Sequence, residues 1–241
     1  MKRYKIGTNN NLRDLGGIIN KDGIEVKLLR FIRSDLPTNI TDNGIKFLKD
    51  NNFTTVIDLR KKDECISNPN CLKDYFDYYN INLVGNKFFK SQEDFPNCYM
   101  NIINDYDNIK LVFKTIANSK GGVIYNCRAG KDRTGIISML LLMLADVYDD
   151  DIIADYEVSY TYIRMLARKE HSKNYDVPFF VNRSEMETME KTIELFYEKY
   201  DNIQNYLNII GLSNEEINCI KNKLINWFLK KFENIKVLGD D

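Results

Sequence analysis

Residues 125–135 read Tyr-Asn-Cys-Arg-Ala-Gly-Lys-Asp-Arg-Thr-Gly and place a sulfur nucleophile, Cys127, and a guanidinium, Arg133, with five residues between them. A short loop curled between the two aims its backbone N–H groups inward as an anion nest. The helix that follows adds its positive end. Both effects lower a thiol pKa from about 8.5 toward the roughly 3.5–7.5 range of activated cysteines. Cys127 is then a thiolate ready to attack phosphorus. Arg133 offers a planar fork to two phosphate oxygens. Thr134 is placed to give its hydroxyl hydrogen to the sulfur and ease its departure. Gly130 permits a backbone shape that a side chain resists, and Gly135 is expected to let the helix pack closely on the strand. Backbone and side chains of Arg128, Ala129, Gly130, Lys131 and Thr134 make up the expected phosphate-binding set.

Such a loop needs a rigid frame. Gly122-Val123-Ile124-Tyr125 reads as a buried strand, and the almost wholly apolar run from Ile136 to Leu144 reads as a buried helix. A loop that joins a strand end to a helix start is where α/β proteins hold anions. Further strands are expected at Lys27 to Ile32, at Phe53 to Arg60 and at Tyr79 to Val84. Helices are expected near Thr41–Asp50, with Thr41 as N-cap, and from Asn108 to Asn118, whose Ile109, Val112, Phe113 and Ile116 share a face. After the loop helix the pattern turns helical to the end. Asp149-Asp150-Asp151 suit a helix front. Ser184-x-x-Glu187 and Ser213-x-x-Glu216 read as capping boxes. Trp227, Phe228 and Phe232 read as packing residues. The fold class is therefore α/β: a central, mainly parallel sheet flanked by helices, with an all-helical C-terminal half. Residues 1–241 are read as one domain whose helical portion, about 149–241, is a candidate lid.

The loop resembles the Cys-x5-Arg-[Ser/Thr] signature of cysteine-dependent protein tyrosine phosphatases. Its fuller form, Cys-x-Ala-Gly-Lys-Asp-Arg-Thr-Gly, is similar to the branch of bacterial tyrosine/lipid phosphatases. Two other stretches carry the same resemblance: Asn11-Leu12-Arg13-Asp14-Leu15-Gly16-Gly17 and Asp58-Leu59-Arg60. One position departs, because the family has His before the nucleophile and this chain has Asn126. The resemblance implies a tyrosine phosphatase-like fold and a metal-free, cofactor-free phosphomonoester hydrolase working through a phosphocysteine. It implies a phosphorylated protein or a phosphoinositide as substrate, and free phosphate as product or inhibitor. It also implies Asp132 as the acid that protonates the leaving group. A bound phosphate dianion favours the protonated form of that carboxyl.

Alternatives stand beside these assignments. Asp132 also suits a helix cap that braces the loop, a reading placed slightly behind the acid and ahead of a third: Asp94, a candidate acid on the acidic loop before the Cys strand, read first as an ordinary solvated carboxylate. Asp58 and Arg60 are read equally as a strand-end salt bridge and as groups touching the ligand. Lys131 and Arg128 are read as rim cations or as solvated charge. Arg13 and Asp14 are expected to form a local ion pair. Asp155-Tyr156 and Ser159 match a family pattern that core packing explains. Asn126 motivates a different class altogether, a phosphate-binding module with little turnover. A nucleotide-binding loop is excluded, because the Walker pattern needs Gly and Ser/Thr where this chain has Tyr125 and Asp132.

The bulk composition narrows the field. With 241 residues, 44% apolar, the chain is long enough for a sizeable core. A net charge of −1 gives no basic field for nucleic acid, so anion affinity must be local. There is no apolar run long enough to span a membrane. Five scattered cysteines, without a Cys-x-x-Cys, fit free thiols in a reducing compartment. With the charged, leaderless N-terminal stretch they point to the cytoplasm, export by another route being left open. A single histidine, His171, excludes a His-rich metal site.

Overall fold

The computed structural model describes residues 2–84, 91–172 and 178–226. Trp227, Phe228 and Phe232 lie outside them. Five strands, β1 (Arg13–Asp14), β2 (Phe31–Ser34), β3 (Phe53–Asp58), β4 (Asp77–Asn80) and β5 (Gly122–Asn126), form one sheet in the order β1-β2-β5-β3-β4. Only the β1–β2 pair is antiparallel; β2, β5, β3 and β4 run parallel. Helices α1 (Asp42–Asp50), α2 (Lys62–Ser67), α3 (Phe95–Ile103) and α4 (Tyr106–Asn118) lie between the strands. After β5 come α5 (Asp132–Leu144), α6 (Asp149–His171), α7 (Met186–Tyr200), α8 (Ile203–Ile209) and α9 (Asn214–Leu224). This is the expected α/β architecture with a helical second half. Helices α7, α8 and α9 pack on α3, α5 and α4 respectively.

β5 is the axis of the sheet and is buried along its whole length. Its side chains alternate between two cores, as the period of a strand requires. Val123 and Tyr125 join Phe31, Ile57 and the helices α3 to α9; Ile124 joins Ile32, Val56, Ile45 and Leu48 under α1. α5 is buried almost all round, from Thr134 to Leu144. Each such Leu, Ile or Met contributes about 1.5–3 kcal/mol on burial, so the helix behind the loop is among the best-anchored parts of the chain. Ser34, Asn126 and Asp58 stand opposite one another in the parallel register, and Asn80 pairs with Asp58. The carboxyl ends of four strands therefore share one edge, where open α/β sheets hold ligands.

Several boundaries differ from those expected. The strand expected at Lys27 to Ile32 is displaced to Phe31–Ser34, because the Asp14 carboxylate accepts the Leu29 N–H at 2.8 Å and Leu29 takes φ +59°. The strand expected at Tyr79 to Val84 starts at Asp77 and ends at Asn80. Thr41 does cap α1, accepting from Gly44 N, and the Ser213–Glu216 box starts α9. Ser184 caps nothing. Its hydroxyl donates to Glu157 O at 2.7 Å and accepts from Tyr160 N at 2.8 Å, tying the α7 approach to α6, so that Glu185 stands at the N-cap.

Candidate active site

Cys127 follows the last residue of β5 and Asp132 opens α5, so the loop is as short as the sequence implies. The carbonyls of residues 128–130 are turned to donors from other parts of the chain, and that of Lys131 starts the α5 ladder. Arg128 O accepts from Leu36 N at 3.1 Å, and Ala129 O from Asn11 Nδ2 at 3.0 Å. Gly130 O accepts from Asn11 Nδ2 and from Arg33 Nη2, each at 2.9 Å. Lys131 O accepts from Gly135 N at 2.8 Å. The described peptide bonds are trans, and a trans unit points its N–H opposite its C=O. Four carbonyls facing out therefore leave the N–H groups of Ala129, Gly130, Lys131 and Asp132 facing the other side, which is the nest of an anion site. Gly130 has φ +66°, and a Cβ there would lie 2.5 Å from Asp35 N and Ser34 C. Both facts demand glycine. Gly135 works differently from expectation: a Cβ would meet Tyr156 Cδ2 at 3.1 Å, so the residue clears α6 and not the strand.

One flank of the loop is a fully buried ion cluster. Arg13 Nε donates to Asp155 Oδ1 at 2.9 Å, and Arg13 Nη2 donates to Asp155 O at 2.6 Å and to Ser159 Oγ at 3.1 Å. Arg13 Nη1 donates to Asn11 Oδ1, and Arg33 Nη1 to Asp155 Oδ2. Asp155 thus gathers two arginines that each reach the loop, Arg33 directly and Arg13 through Asn11. Burial works to raise the Asp155 pKa, but the two guanidiniums overcome it and hold it below the ordinary value. Burial and the like charge of Arg33 lower Arg13 to about 10. The expected Arg13–Asp14 pair does not form, because successive strand residues face opposite sides. Asp14 instead accepts from Gly16 N at 2.8 Å, Leu29 N at 2.8 Å and Tyr4 OH at 2.7 Å. Sequence reasoning left Asp155 and Ser159 to core packing; their match to a family pattern was the available signal.

The other flank holds Arg133. Its Nη1 donates to Glu64 Oε2 at 3.1 Å and to Leu59 O at 3.3 Å. Burial works to lower the Arg133 pKa, yet it stands above its ordinary value because the Cys127 sulfur, Glu64 and Asp132 lie near it. Cys127 itself is 2% exposed. Glu64 was missed by sequence reasoning. Asp58 and Arg60 settle into a bidentate pair, Nε to Oδ1 at 2.9 Å and Nη2 to Oδ2 at 2.7 Å. Arg60 Nη1 then donates to Glu64 O at 3.2 Å and Asn68 O at 2.9 Å. The salt-bridge reading holds: the pair fastens α2, which presents Glu64 to Arg133.

Asp132 lies at the first helical position. Its Oδ1 accepts from Tyr99 OH, and Lys131 Nζ lies 3.2 Å from the same oxygen. Lys131 is neither a rim cation nor solvated. It is 2% exposed, its Nζ donates to Val181 O and Arg183 O at 2.7 Å each, and it sits 5.4 Å above the Phe95 ring. Arg128 is exposed, as expected. Thr134 Oγ1 is buried with no hydrogen-bond partner among the described residues, in keeping with a hydroxyl kept for the neighbouring sulfur. The Asp94 carboxylate accepts from Ser91 N at 3.0 Å in a 3-10 turn over Gln92–Asp94, and it is Tyr99, further along α3, that meets Asp132. Asn126 sits where the family has His: its Oδ1 accepts from Asn70 Nδ2 at 2.9 Å and its Nδ2 donates to Cys127 O at 3.4 Å.

The chain is similar to known proteins over most of its length. A family model described as "Tyrosine phosphatase family" matches residues 4–226. A protein of Nostoc commune named tyrosine-protein phosphatase is 32% identical over 190 residues, 70% of this chain and 65% of that protein. A second relative, from Cupriavidus necator, is 25% identical over 165 residues, 62% of this chain and 60% of that protein. The chain thus spans somewhat less than two thirds of the length of these relatives. A crystal structure of P. aeruginosa TpbA with pTyr is a distant likeness, at 11% identity and TM-score 0.42, covering 77% of this chain and 88% of that one. The matched stretch takes in the loop, both of its flanks and the helices behind it, and on that ground the chain belongs to the tyrosine phosphatase family.

Proposed function

We propose that the protein hydrolyses phosphotyrosine monoesters through a phosphocysteine. The observation that carries this reading is the loop itself, with four carbonyls turned outward, the sulfur at its start and Arg133 held at its end. In the first step Cys127 Sγ attacks phosphorus and the bond to the phenolic oxygen breaks. Asp132 gives its proton to that oxygen. Arg133 and the loop N–H groups bind the equatorial oxygens, whose charge is spread in the transition state. In the second step a water attacks phosphorus, Asp132 takes the proton of that water, and Thr134 gives a hydrogen bond to the departing sulfur. No step calls for a metal or a cofactor.

Lys131 bears on the substrate class. A phosphoinositide reading rests on a lysine at the rim, and this lysine is engaged inward by Val181 O and Arg183 O. Phosphotyrosine peptide is therefore the favoured substrate, and turnover of a phosphoinositide requires that those two bonds be released. The test assays both substrates side by side with the wild type and Cys127→Ser. Release of phosphate from the peptide, abolished by Cys127→Ser, is expected. No release by the wild type would turn the reading into a phosphate-binding module, and undiminished release by Cys127→Ser would refute the phosphocysteine.

A further inference from the structure

The carboxylate of Asp132 is held asymmetrically. Its side chain is 36% exposed, yet Oδ1 faces two donors inside the protein, Tyr99 OH and Lys131 Nζ. Tyr99 is 1% and Tyr156 2% exposed, and their hydroxyls lie 2.8 Å apart. Burial, the nearby Asp132 charge and Tyr156 keep the Tyr99 phenol well above its ordinary pKa, and Tyr156 is raised likewise by burial and by Asp132. Both phenols therefore keep their protons. A hydroxyl has one proton to give. With Tyr99 donating to Asp132, Tyr156 donates to Tyr99, and the chain Tyr156–Tyr99–Asp132 has one direction. Gly135 is the helix position that leaves room for the Tyr156 ring.

We propose that Tyr99 is a positioning residue for Asp132: its hydroxyl, backed by Tyr156, occupies Oδ1 together with Lys131 and so assigns the leaving-group proton to Oδ2. The proposal rests on the reading of Asp132 as the acid. The Tyr99 hydrogen bond and the Lys131 ammonium 3.2 Å away both act on Oδ1, so a proton on this carboxyl resides on Oδ2. The carboxyl plane is fixed by the same contacts, which orients Oδ2 before substrate arrives. When the phosphorus–oxygen bond breaks, the proton passes from Oδ2 to the phenolic oxygen and the carboxylate keeps the electron pair. Preorganisation of this kind counts only where protonation of the leaving group is needed. It matters for an ester of a weakly acidic phenol and little for an ester of a strongly acidic one. The charged and titratable groups around the carboxyl are Lys131, Arg133, Tyr99 and Tyr156.

The experiment compares kcat and KM for phenyl phosphate and p-nitrophenyl phosphate across wild type, Asp132→Asn, Tyr99→Phe and Tyr156→Phe. Asp132→Asn is expected to lose about a hundredfold or more on phenyl phosphate, and far less on p-nitrophenyl phosphate. Tyr99→Phe is expected to show the same tilt at smaller size, with about a tenfold loss of kcat on phenyl phosphate. Its KM should be unchanged for both esters. Tyr156→Phe leaves the direct donor and falls between Tyr99→Phe and wild type. The phenylalanine ring retains the edge contacts of Tyr99 with Phe95 and Tyr156. An equal loss on both esters by Tyr99→Phe, or no loss on either, overturns the positioning role while leaving Asp132 as the acid. A flat profile for Asp132→Asn overturns the acid reading itself. If Tyr99→Phe does not fold, Tyr156→Phe decides by the same criterion: a tilt supports the proposal, and an even loss or none overturns it.

Discussion

The two flanks of the phosphate loop are built on opposite principles. On one side Arg13, Arg33 and Asp155 form a cluster whose Arg13–Asp155 pair is 0% and 3% exposed; on the other, Arg133 and Glu64 are 18% and 33% exposed. Both contain arginine–carboxylate pairs, yet they do different work. A buried pair gives up its water for good, so it relies on good geometry and further hydrogen bonds. In this cluster Asp155 and Arg13 have them, and Arg33 Nε is the one buried donor left without a partner among the described residues. A half-exposed pair keeps part of its water and is worth little in stability, about 0–1 kcal/mol. The first flank sets the shape of the loop through carbonyls held by Asn11 and Arg33. The second keeps aimed the guanidinium proposed to bind substrate, with a carboxylate that holds it from one side only.

Removing the centre of the buried cluster is the strongest way to break this contrast. Asp155→Ala leaves two buried guanidiniums unpaired and is expected to cost about 3–5 kcal/mol of stability in urea unfolding, together with most activity. The same variant sharpens the pH argument. An unfolded Asp titrates near about 3.9, and Asp155 lies lower in the folded protein, so its stabilisation is complete above that value. It drains away as pH falls through the folded pKa. Wild type should therefore lose stability below about pH 4 more steeply than Asp155→Ala does. On the open flank, Arg133→Lys should lose about tenfold to a hundredfold in kcat/KM, because an ammonium cannot make the bidentate contact, with its urea midpoint unchanged. Glu64→Gln is the mildest. It keeps the shape, removes the charge that faces Arg133, and should cost about threefold to tenfold in kcat/KM with stability within about 1 kcal/mol. Should Glu64→Gln destabilise as much as Asp155→Ala, the two flanks are not distinct.

What could be read from the chain was what is local in it. Cys127, Gly130, Asp132 and Arg133 lie within seven consecutive residues, and the strand before them and the helix behind them follow from apolar runs. The partners of these residues were not legible, because they come from far along the chain. Arg13 is 142 residues from Asp155, and the Glu64 that holds Arg133 is 69 residues before it. Tyr99 offered no signal at all, being an ordinary aromatic on an amphipathic helix. Lys131 shows the sharper failure. Nothing in a local pattern says that a lysine beside an anion loop points inward, since the two carbonyls it meets are 50 and 52 residues later. Arg13 and Asp14 were paired by adjacency, and strand alternation separated them.

That inward lysine has a mechanical consequence. The ammonium is the knot between the reaction centre and the 3-10 turn Phe179–Asn182 with the residue that follows it, and both of the carbonyls it grips belong to that stretch. To swing the turn aside is to leave that cation beside the anion bowl with only Asp132 and the Phe95 ring, among the described residues, against it. To keep it in place is to withhold that cation. Shape and charge at the entrance are therefore not independent settings: a displacement of the turn by a bulky partner and a gain of positive potential for an incoming phosphate are one event.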